Sequence, residues 1–333
     1  MTEVVQQVKI QSGEVFANAE GISVLDSALN EGLVLEYSCK TGQCGVCKTT
    51  LVSGQVEDIR EPLSLTLDER ALGQFLTCCS KAKTDITITS ENLKALQGIE
   101  VKTLPAKISA LNFLTDDIVE VCLRFPPTAQ FTFLAGQYVD ISYQGVRRSY
   151  SIASSQTEQG LRFVIKKVED GQMSDYWFNQ AKVGDLLRIE GPKGTFFYRH
   201  QAVDKTTVLL ATGTGIAPML SMLNTLEQDE RYQQEAPIYL FWGNRTANEF
   251  AIDVAFSKLN VHFYRVLSRQ DANWQEQTGY VQHSALEVIA DMSNTKVYAC
   301  GSNAMIGAAK TLFIEHGLNE SDFHSDAFVQ SFS

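Results

Sequence analysis

The sequence predicts three successive units: a small, loop-rich α+β segment, an antiparallel β-barrel and a doubly wound parallel α/β sheet. Three observations lead there. Cys39, Cys44, Cys47, Cys78 and Cys79, five of the seven cysteines, crowd into one early stretch. Between about residues 105 and 200, short strands recur between Gly and Pro turn signals, as in a barrel. From Thr206 onward, apolar strands alternate with helical segments, the rhythm of a parallel sheet with crossover helices. A chain of 333 residues that is 44% hydrophobic has material for two or three cores.

Charge narrows the functional classes. The net charge of −11 divides as −5 over residues 1–98, +1 over 99–200 and −7 over 201–333. Phosphate backbones need a basic surface, so nucleic acid is an unsuitable partner. The near-neutral middle third is the natural place for an anionic ligand. No run approaches the ~20 apolar residues of a membrane span. The opening MTEVVQQVKI carries Glu3 and alternates polar with apolar residues, unlike a secretory leader, so a cytoplasmic protein is expected. An odd cysteine count without such a leader argues for metal or redox chemistry rather than disulfides.

Residues 1–91 are read as the first unit. Val4, Val8 and Ile10 alternate with polar residues, Ser12-Gly13 turns, and Glu14–Phe16 returns, which predicts a hairpin. Ser23 caps a helix carrying Val24, Leu25, Ala28 and Leu29 that stops near Gly32. The loop CKTGQCGVC leads to a strand at Thr49–Val52; a short helix at Thr66–Ala71 and a strand at Asp85–Thr89 complete the unit. Cys39, Cys44, Cys47 and the distant Cys78 have the spacing of a plant-type 2Fe–2S site. Two ferric ions bridged by two sulfides need four thiolates, and one tight loop supplies three. Gly42 and Gly45 let that loop wrap a cluster and aim N–H groups at sulfur. A zinc knuckle is the competing reading, but it pairs two short-spaced ligand sets, and here the distal half offers only Cys78-Cys79. Buried structural cysteines are the plainer alternative. If Cys78-Cys79 is extended, the two side chains point to opposite sides and only one reaches iron.

Residues 92–104 read as a linker and 105–200 as the barrel. Its strands are expected at Lys107–Ser109, Ile118–Phe125, Gln137–Ser142, Ser149–Ala153 and Leu161–Lys167, with one helix at Met173–Ala181 and Gly191-Pro192 as punctuation. Arg148-Ser149-Tyr150-Ser151 falls on a strand. A guanidinium can clamp a pyrophosphate, a phenol ring can stack on an isoalloxazine, and a serine can hydrogen-bond near the reactive flavin nitrogen. Gly171, Met173 and Ser174 open the helix, whose free N–H groups form a second phosphate cradle. Together they predict FAD.

Residues 201–333 read as the sheet unit. VLLAT runs into Thr212-Gly213-Thr214-Gly215 and a helix over Pro218–Gln228. The glycines permit close backbone approach to a nucleotide, and Pro218 suits a helix's first turn. IYLFWG with a helix at Ala247–Leu259, then HFYRVLS, a helix near Ser284–Ala290, VYACG and a helix at Ala304–His316 continue the series. Cys300-Gly301 ends a strand at the carboxyl edge where such sheets bind ligands, and Asp326 and Phe328 lie near the end of the chain. Trp177, Trp242 and Trp274 read as packing, with Trp242 placed to border the nucleotide.

Taken together, these residues resemble the ferredoxin–NAD(P)H reductases with an N-terminal plant-type ferredoxin, over essentially the whole chain. The resemblance implies a β-grasp ferredoxin domain ahead of the flavin barrel and nucleotide sheet. The ferredoxin pattern Leu-x-Cys, within FLTCCSKAKTDI, selects Cys78 as the fourth ligand. It also assigns Arg148, Tyr150, Ser151, Gly171 and Ser174 to FAD, Gly213 through Pro218 to the nicotinamide nucleotide, and Cys300-Gly301 to the nicotinamide's side. Where plant-type members end Glu-x-Tyr, this chain has Asp326 and Phe328, so Phe328 takes the place of the displaceable ring over the flavin.

Ser268-Arg269 with Tyr280 is similar to the 2′-phosphate and adenine site of NADPH-specific members, but Thr278 replaces their lysine. NADH is the expected donor, with NADPH open. EYSCKTGQCGVCK, LTCCSKAK, RRSYSIA and SDAFV are most similar to CDP-6-deoxyhexose reductases of bacterial surface-sugar pathways. The resemblance therefore implies an iron–sulfur dehydratase as acceptor, in 3,6-dideoxysugar synthesis. Reductase components of ring-hydroxylating oxygenases and multicomponent monooxygenases share the architecture and are the alternative. A free flavin reductase and a non-enzymatic iron–sulfur carrier are the readings from other classes.

Overall fold

Alternation at Val8 and Ile10 does build a strand. β1 (Gln6–Ile10) pairs antiparallel with β2 (Val15–Asn18), Val8 opposite Phe16, and all three apolar side chains are buried. Val4 lies outside the described residues, which in the computed structural model are 5–199, 205–230, 237–269 and 271–328. α1 (Val24–Asn30) starts where Ser23 Oγ accepts from Asp26 N, and Val24, Leu25 and Ala28 face the core. β3 (Lys48–Ser53), β4 (Val56–Asp58), α2 (Leu67–Ala71), β5 (Gln74–Leu76), β6 (Ser80–Ala82) and β7 (Ile86–Ile88) follow. α2 opens with a reciprocal capping box between Thr66 and Glu69. The main sheet has the order β2-β1-β7-β3-β5, with β1 and β7 parallel, and β4-β6 is a separate ribbon.

The chain divides into Met1–Ile99 and Glu100–Ser333. Of the residues read as a linker, Lys94–Leu96 form a 3-10 turn, while Lys102 already belongs to β8 (Lys102–Phe113). Pro105 sits inside that strand because β8 has only one partner there. Its first half pairs with β13 (Leu186–Lys193), and pairing with β9 (Ile118–Arg124) begins at Lys107.

β10 (Tyr138–Tyr143), β11 (Val146–Ser151) and β12 (Leu161–Lys166) complete an antiparallel sheet of order β11-β10-β13-β8-β9-β12. Ala153 N donates to Arg162 O at 2.8 Å, linking the run beyond β11 to β12 and curling the sheet into a barrel. Gly191-Pro192 does not end a strand. Asp140 pairs with Glu190 and Tyr138 with Lys193, so two residues oppose Val139 in a β-bulge within β13. The expected helix at Met173–Ala181 is instead α3 (Gln172–Asp175) running into a π-helical turn, Tyr176–Gln180.

The last sheet is wholly parallel. It comprises β14 (Thr206–Thr212), β15 (Ile238–Asn244), β16 (Val261–Leu267), β17 (Gln277–Thr278), β18 (Thr295–Gly301) and β19 (Phe323–Ala327), in the order β17-β16-β15-β14-β18-β19. The direction of winding reverses between β14 and β18, the switch point of an open α/β sheet. α4 (Ile216–Glu227), α5 (Val281–Val288) and α6 (Asn303–Glu315) match three expected helices, α5 starting three residues early. The helix expected at Ala247–Leu259 does not form. Only a 3-10 turn, Ala247–Glu249, is helical, and Phe250, Ile252, Val254 and Phe256 all pack against the sheet's core. Apolar residues spaced by two suit an extended run, since a helix would send alternate members to opposite faces.

Candidate functional site

The cysteine loop lies between α1 and β3. Lys40, Gly42 and Gly45 take positive φ of 57°, 80° and 75°, which coils the chain tightly enough to turn N–H groups inward. Thr41 N donates to Cys39 Sγ at 3.3 Å, and the amides of Val46 and Gly42 bond the sulfurs of Cys44 and Cys78. The thiols stand as two pairs: Cys44 bonds Cys39, and Cys47 Sγ lies 3.2 Å from Cys78 Sγ. Cys44's donor, aided by Thr41, draws Cys39 down; Cys47 and then Cys79 draw Cys78 down. Cys44 and Cys47 are pushed up by that pairing and by burial.

Two thiol pairs fit two bridged irons better than one tetrahedral ion. Among the described residues no three His, Cys, Asp or Glu side chains converge on a single-ion site. Cys78 and Cys79 are not extended: they occupy a turn between β5 and β6, with their sulfurs 3.6 Å apart. Their side chains therefore do not point to opposite sides, and Cys78 is distinguished instead by its contact with Cys47. A Cβ on Gly42 would stand 2.7 Å from both Cys79 Sγ and Glu61 O, so the loop lies directly on this turn. Arg60, which no motif singles out, donates from Nη1 to Lys40 O at 2.6 Å and to Cys78 O at 3.1 Å.

In the barrel, alternation along β11 separates two sets of residues. Arg147 and Ser149 turn to Asp140: Arg147 bonds Asp140 and Glu190, Ser149 Oγ donates to Asp140 at 2.5 Å, and Lys193 Nζ bridges Asp140 and Glu190 at 2.7 and 2.6 Å. Burial alone raises Asp140, but the donors Lys193, Ser149 and Arg147 outweigh it and hold the carboxyl below its ordinary value. This network ties together β10, β11 and β13. Arg148 and Tyr150 occupy the other face.

The Tyr150 ring meets Trp177 edge-on at 6.0 Å and 85°, and its hydroxyl accepts from Trp177 Nε1 at 2.9 Å. Burial pushes the phenol up to about 12. Ser174 Oγ accepts from Val168 N at 2.9 Å, which closes the turn containing Gly171 and leaves a hydroxyl proton to donate. Gly171, Met173 and Ser174 line a cavity of about 550 Å³ with Tyr143, Lys167 and Tyr176. That volume, with backbone amides, hydroxyl and aromatic walls, fits part of a dinucleotide. Arg148 and Tyr150 lie outside its lining.

At the switch point, β14 and β18 abut so closely that only glycine fits at their ends. A Cβ on Gly215 would be 2.2 Å from Cys300 O, and one on Gly301 2.0 Å from Thr212 Oγ1. Thr214 lies in the 3-10 turn Gly213–Gly215, and Pro218 is the third residue of α4, where it interrupts no helix bond. Trp242 Nε1 donates to Gly213 O at 2.8 Å, pinning the turn. Cys300 is fully buried and pairs in register with Asp326; burial, then that carboxylate, pushes its thiol well up. Phe328 N bonds Gly301 O at 2.8 Å while the ring stays 41% exposed.

Ser268 N and Oγ both donate to Asn244 O, at 2.9 and 3.1 Å; Arg269 and Tyr280 are exposed. α4 packs against the barrel. Ser221 Oγ of α4 donates to Ser154 O at 2.6 Å, and Ala217 packs with Ile118, Ala153 and Val164.

Three family models match in series: 2Fe-2S iron-sulfur cluster binding domain (residues 8–83), oxidoreductase FAD-binding domain (105–198) and oxidoreductase NAD-binding domain (209–311). A CDP-6-deoxy-L-threo-D-glycero-4-hexulose-3-dehydrase reductase of Yersinia pestis is 43% identical over 325 residues, covering 96% of this chain and 97% of that one. The chain belongs to the ferredoxin–NAD(P)H reductase family with an N-terminal 2Fe–2S domain. Reductase component 2 of a terephthalate 1,2-dioxygenase from Comamonas sp. is 30% identical over 332 residues, covering 97% of each. Among solved structures, a ferredoxin reductase of carbazole 1,9a-dioxygenase superposes with TM-score 0.69 at 27% identity, covering 99% of this chain and 100% of that one.

This reductase is thus an NAD(P)H-dependent oxidoreductase with 2Fe–2S, FAD and NAD(H) domains in that order. Among the described residues no helix is long and apolar enough to cross a membrane.

Proposed function

We propose that this reductase carries electrons from NADH through FAD to its own 2Fe–2S cluster, and then to a cytoplasmic iron–sulfur dehydratase acting on a CDP-6-deoxy-hexulose. The observation that carries the acceptor is 43% identity, over 96% of this chain and 97% of that one, to a reductase named for that dehydrase. Bound FAD supplies the conversion of a nicotinamide's paired electrons into the single electrons a cluster accepts. The protein's residues supply position and protection. Cys39, Cys44, Cys47 and Cys78 would hold the cluster, and the loop amides donate to their sulfurs. Arg148 and the Gly171–Ser174 turn, Met173 included, would hold the pyrophosphate. Tyr150 would lie against the flavin ring, and Ser151 would offer it a hydroxyl donor.

Thr212 and the turn from Gly213 through Thr214 and Gly215 to Pro218 receive the nicotinamide nucleotide. Cys300, Gly301 and Asp326 would shape the nicotinamide's pocket, and the exposed Phe328 ring would be free to yield its place to it. The exposed Tyr280 ring would stack on the adenine. Ser268 spends its proton on Asn244 O, and Arg269 is the one cation of the expected 2′-phosphate site because Thr278 stands where NADPH-specific members have lysine. That favours NADH.

The terephthalate relative supports a second reading, an oxygenase as acceptor, at lower identity. Supplying NADH and the purified reductase to a CDP-6-deoxy-hexulose dehydratase, and separately to a terephthalate-type oxygenase, decides between them. Turnover with the first alone is expected; turnover with the second alone would reverse the assignment.

A further inference from the structure

The sequence assigns Trp177 to packing, and it is fully buried. Its surroundings give it a more specific task. An indole N–H inside a protein needs an acceptor. Here it has the Tyr150 hydroxyl, at 2.9 Å, on the strand that carries Arg148 and Ser151. The two rings meet edge-on, and Phe163 closes a second side of Tyr150 at 6.5 Å and 68°. Tyr150 is therefore held by a directional bond at its tip and by two ring edges along its body. Accepting from Trp177 leaves the phenol's own proton available to a ligand, and burial keeps that proton in place.

The backbone on the other side matters as much. Trp177 is three residues beyond Ser174, on the same continuous turn of chain as Gly171. The helix changes there from α to π: Asp175 N bonds Gly171 O, whereas Ala181 N bonds Tyr176 O. Such single wide turns occur frequently at functional sites. One indole thus joins the phosphate-side turn to the ring-side strand.

We propose that Trp177 is a positioning residue for the flavin, using its N–H to fix Tyr150 and so couple the Gly171–Ser174 turn to β11. The inference rests on the placement of Tyr150 against FAD. Full-length Trp177→Phe, Trp177→His, Tyr150→Phe and Trp177→Phe/Tyr150→Phe proteins test it, read by FAD Kd, by visible circular dichroism of the bound flavin and by the melting of FAD-free protein.

Trp177→Phe is expected to raise the FAD Kd about threefold to tenfold, the scale of one net hydrogen bond. It should alter the flavin's dichroism in the same sense as Tyr150→Phe, and the double variant should be no worse than the worse single one. Trp177→His, which keeps a ring N–H, should recover part of the loss above pH 7.5. Additive effects, or a lower melting temperature with Kd and dichroism unchanged in both Trp177 variants, would overturn the proposal. If Tyr150→Phe itself leaves the flavin spectrum and Kd untouched, the placement of Tyr150 fails first, and the inference fails with it.

Discussion

The cysteine loop and the switch point assemble their candidate sites in opposite ways. Three of the four thiols come from one short loop, and the fourth from a turn against which Gly42 is pressed. The switch point draws on residues from Thr212 to Phe328, brought together by strand order and by two glycine contacts. A local site depends on backbone torsion within its own loop. A dispersed site depends on the register of whole strands, so its sensitive positions include residues that touch no cofactor.

The largest expected effect breaks one region and spares the other. Cys44→Ala should abolish the cluster's visible absorption and electron delivery to a protein acceptor, while NADH still bleaches the flavin at the wild-type rate. Loss of flavin reduction as well would show that the two regions are not separable. Next is Gly215→Ala, where the intruding Cβ meets backbone that cannot yield cheaply. It should cost about 3 kcal/mol of stability in the Glu100–Ser333 unit and raise the NADH Kd sharply, with cluster content unchanged. Denaturant melts followed separately by flavin and cluster absorbance check it.

A third effect depends on pH. Asp140's folded pKa lies below its unfolded value, near 3.8. Its stabilisation is present above the unfolded value and is lost as pH falls through the folded one. Asp140→Asn should cost about 2 kcal/mol at neutral pH, by leaving Arg147 and Lys193 short of an acceptor. It should also flatten the decline in flavin-domain melting temperature below pH 4, and an unchanged decline would remove Asp140 from the account. Smallest is Trp242→Phe, which forfeits one bond to Gly213 O, worth about 1 kcal/mol. KM for NADH should rise severalfold with kcat and FAD affinity little changed.

The same contrast explains what could be read from the sequence. Cys39, Cys44, Cys47 and the strand–turn–helix from VLLAT to α4 are contiguous, and spacing alone carries their chemistry. Three-dimensional neighbours were harder. Nothing near Arg60 signals that its guanidinium closes the cysteine loop from 20 residues away. Cys78-Cys79 reads as extended because a three-residue turn between two three-residue strands has no glycine or proline to mark it. Gly191-Pro192 does carry turn residues, yet it forms a bulge, because both flanking residues retain their partners in β10. The run after Ala247 has helix-forming composition but a period-two apolar pattern, and burial of the four apolar side chains on the sheet core prevails over propensity.

The central claim is that electrons pass from nicotinamide to flavin to the enzyme's own cluster. An anaerobic titration with NADH, followed by flavin absorbance and low-temperature EPR on the same samples, tests it directly. The account predicts a reduced-cluster signal that rises with NADH to about one cluster per chain as the flavin bleaches. A fully bleached flavin with the cluster still oxidised and EPR-silent would contradict it.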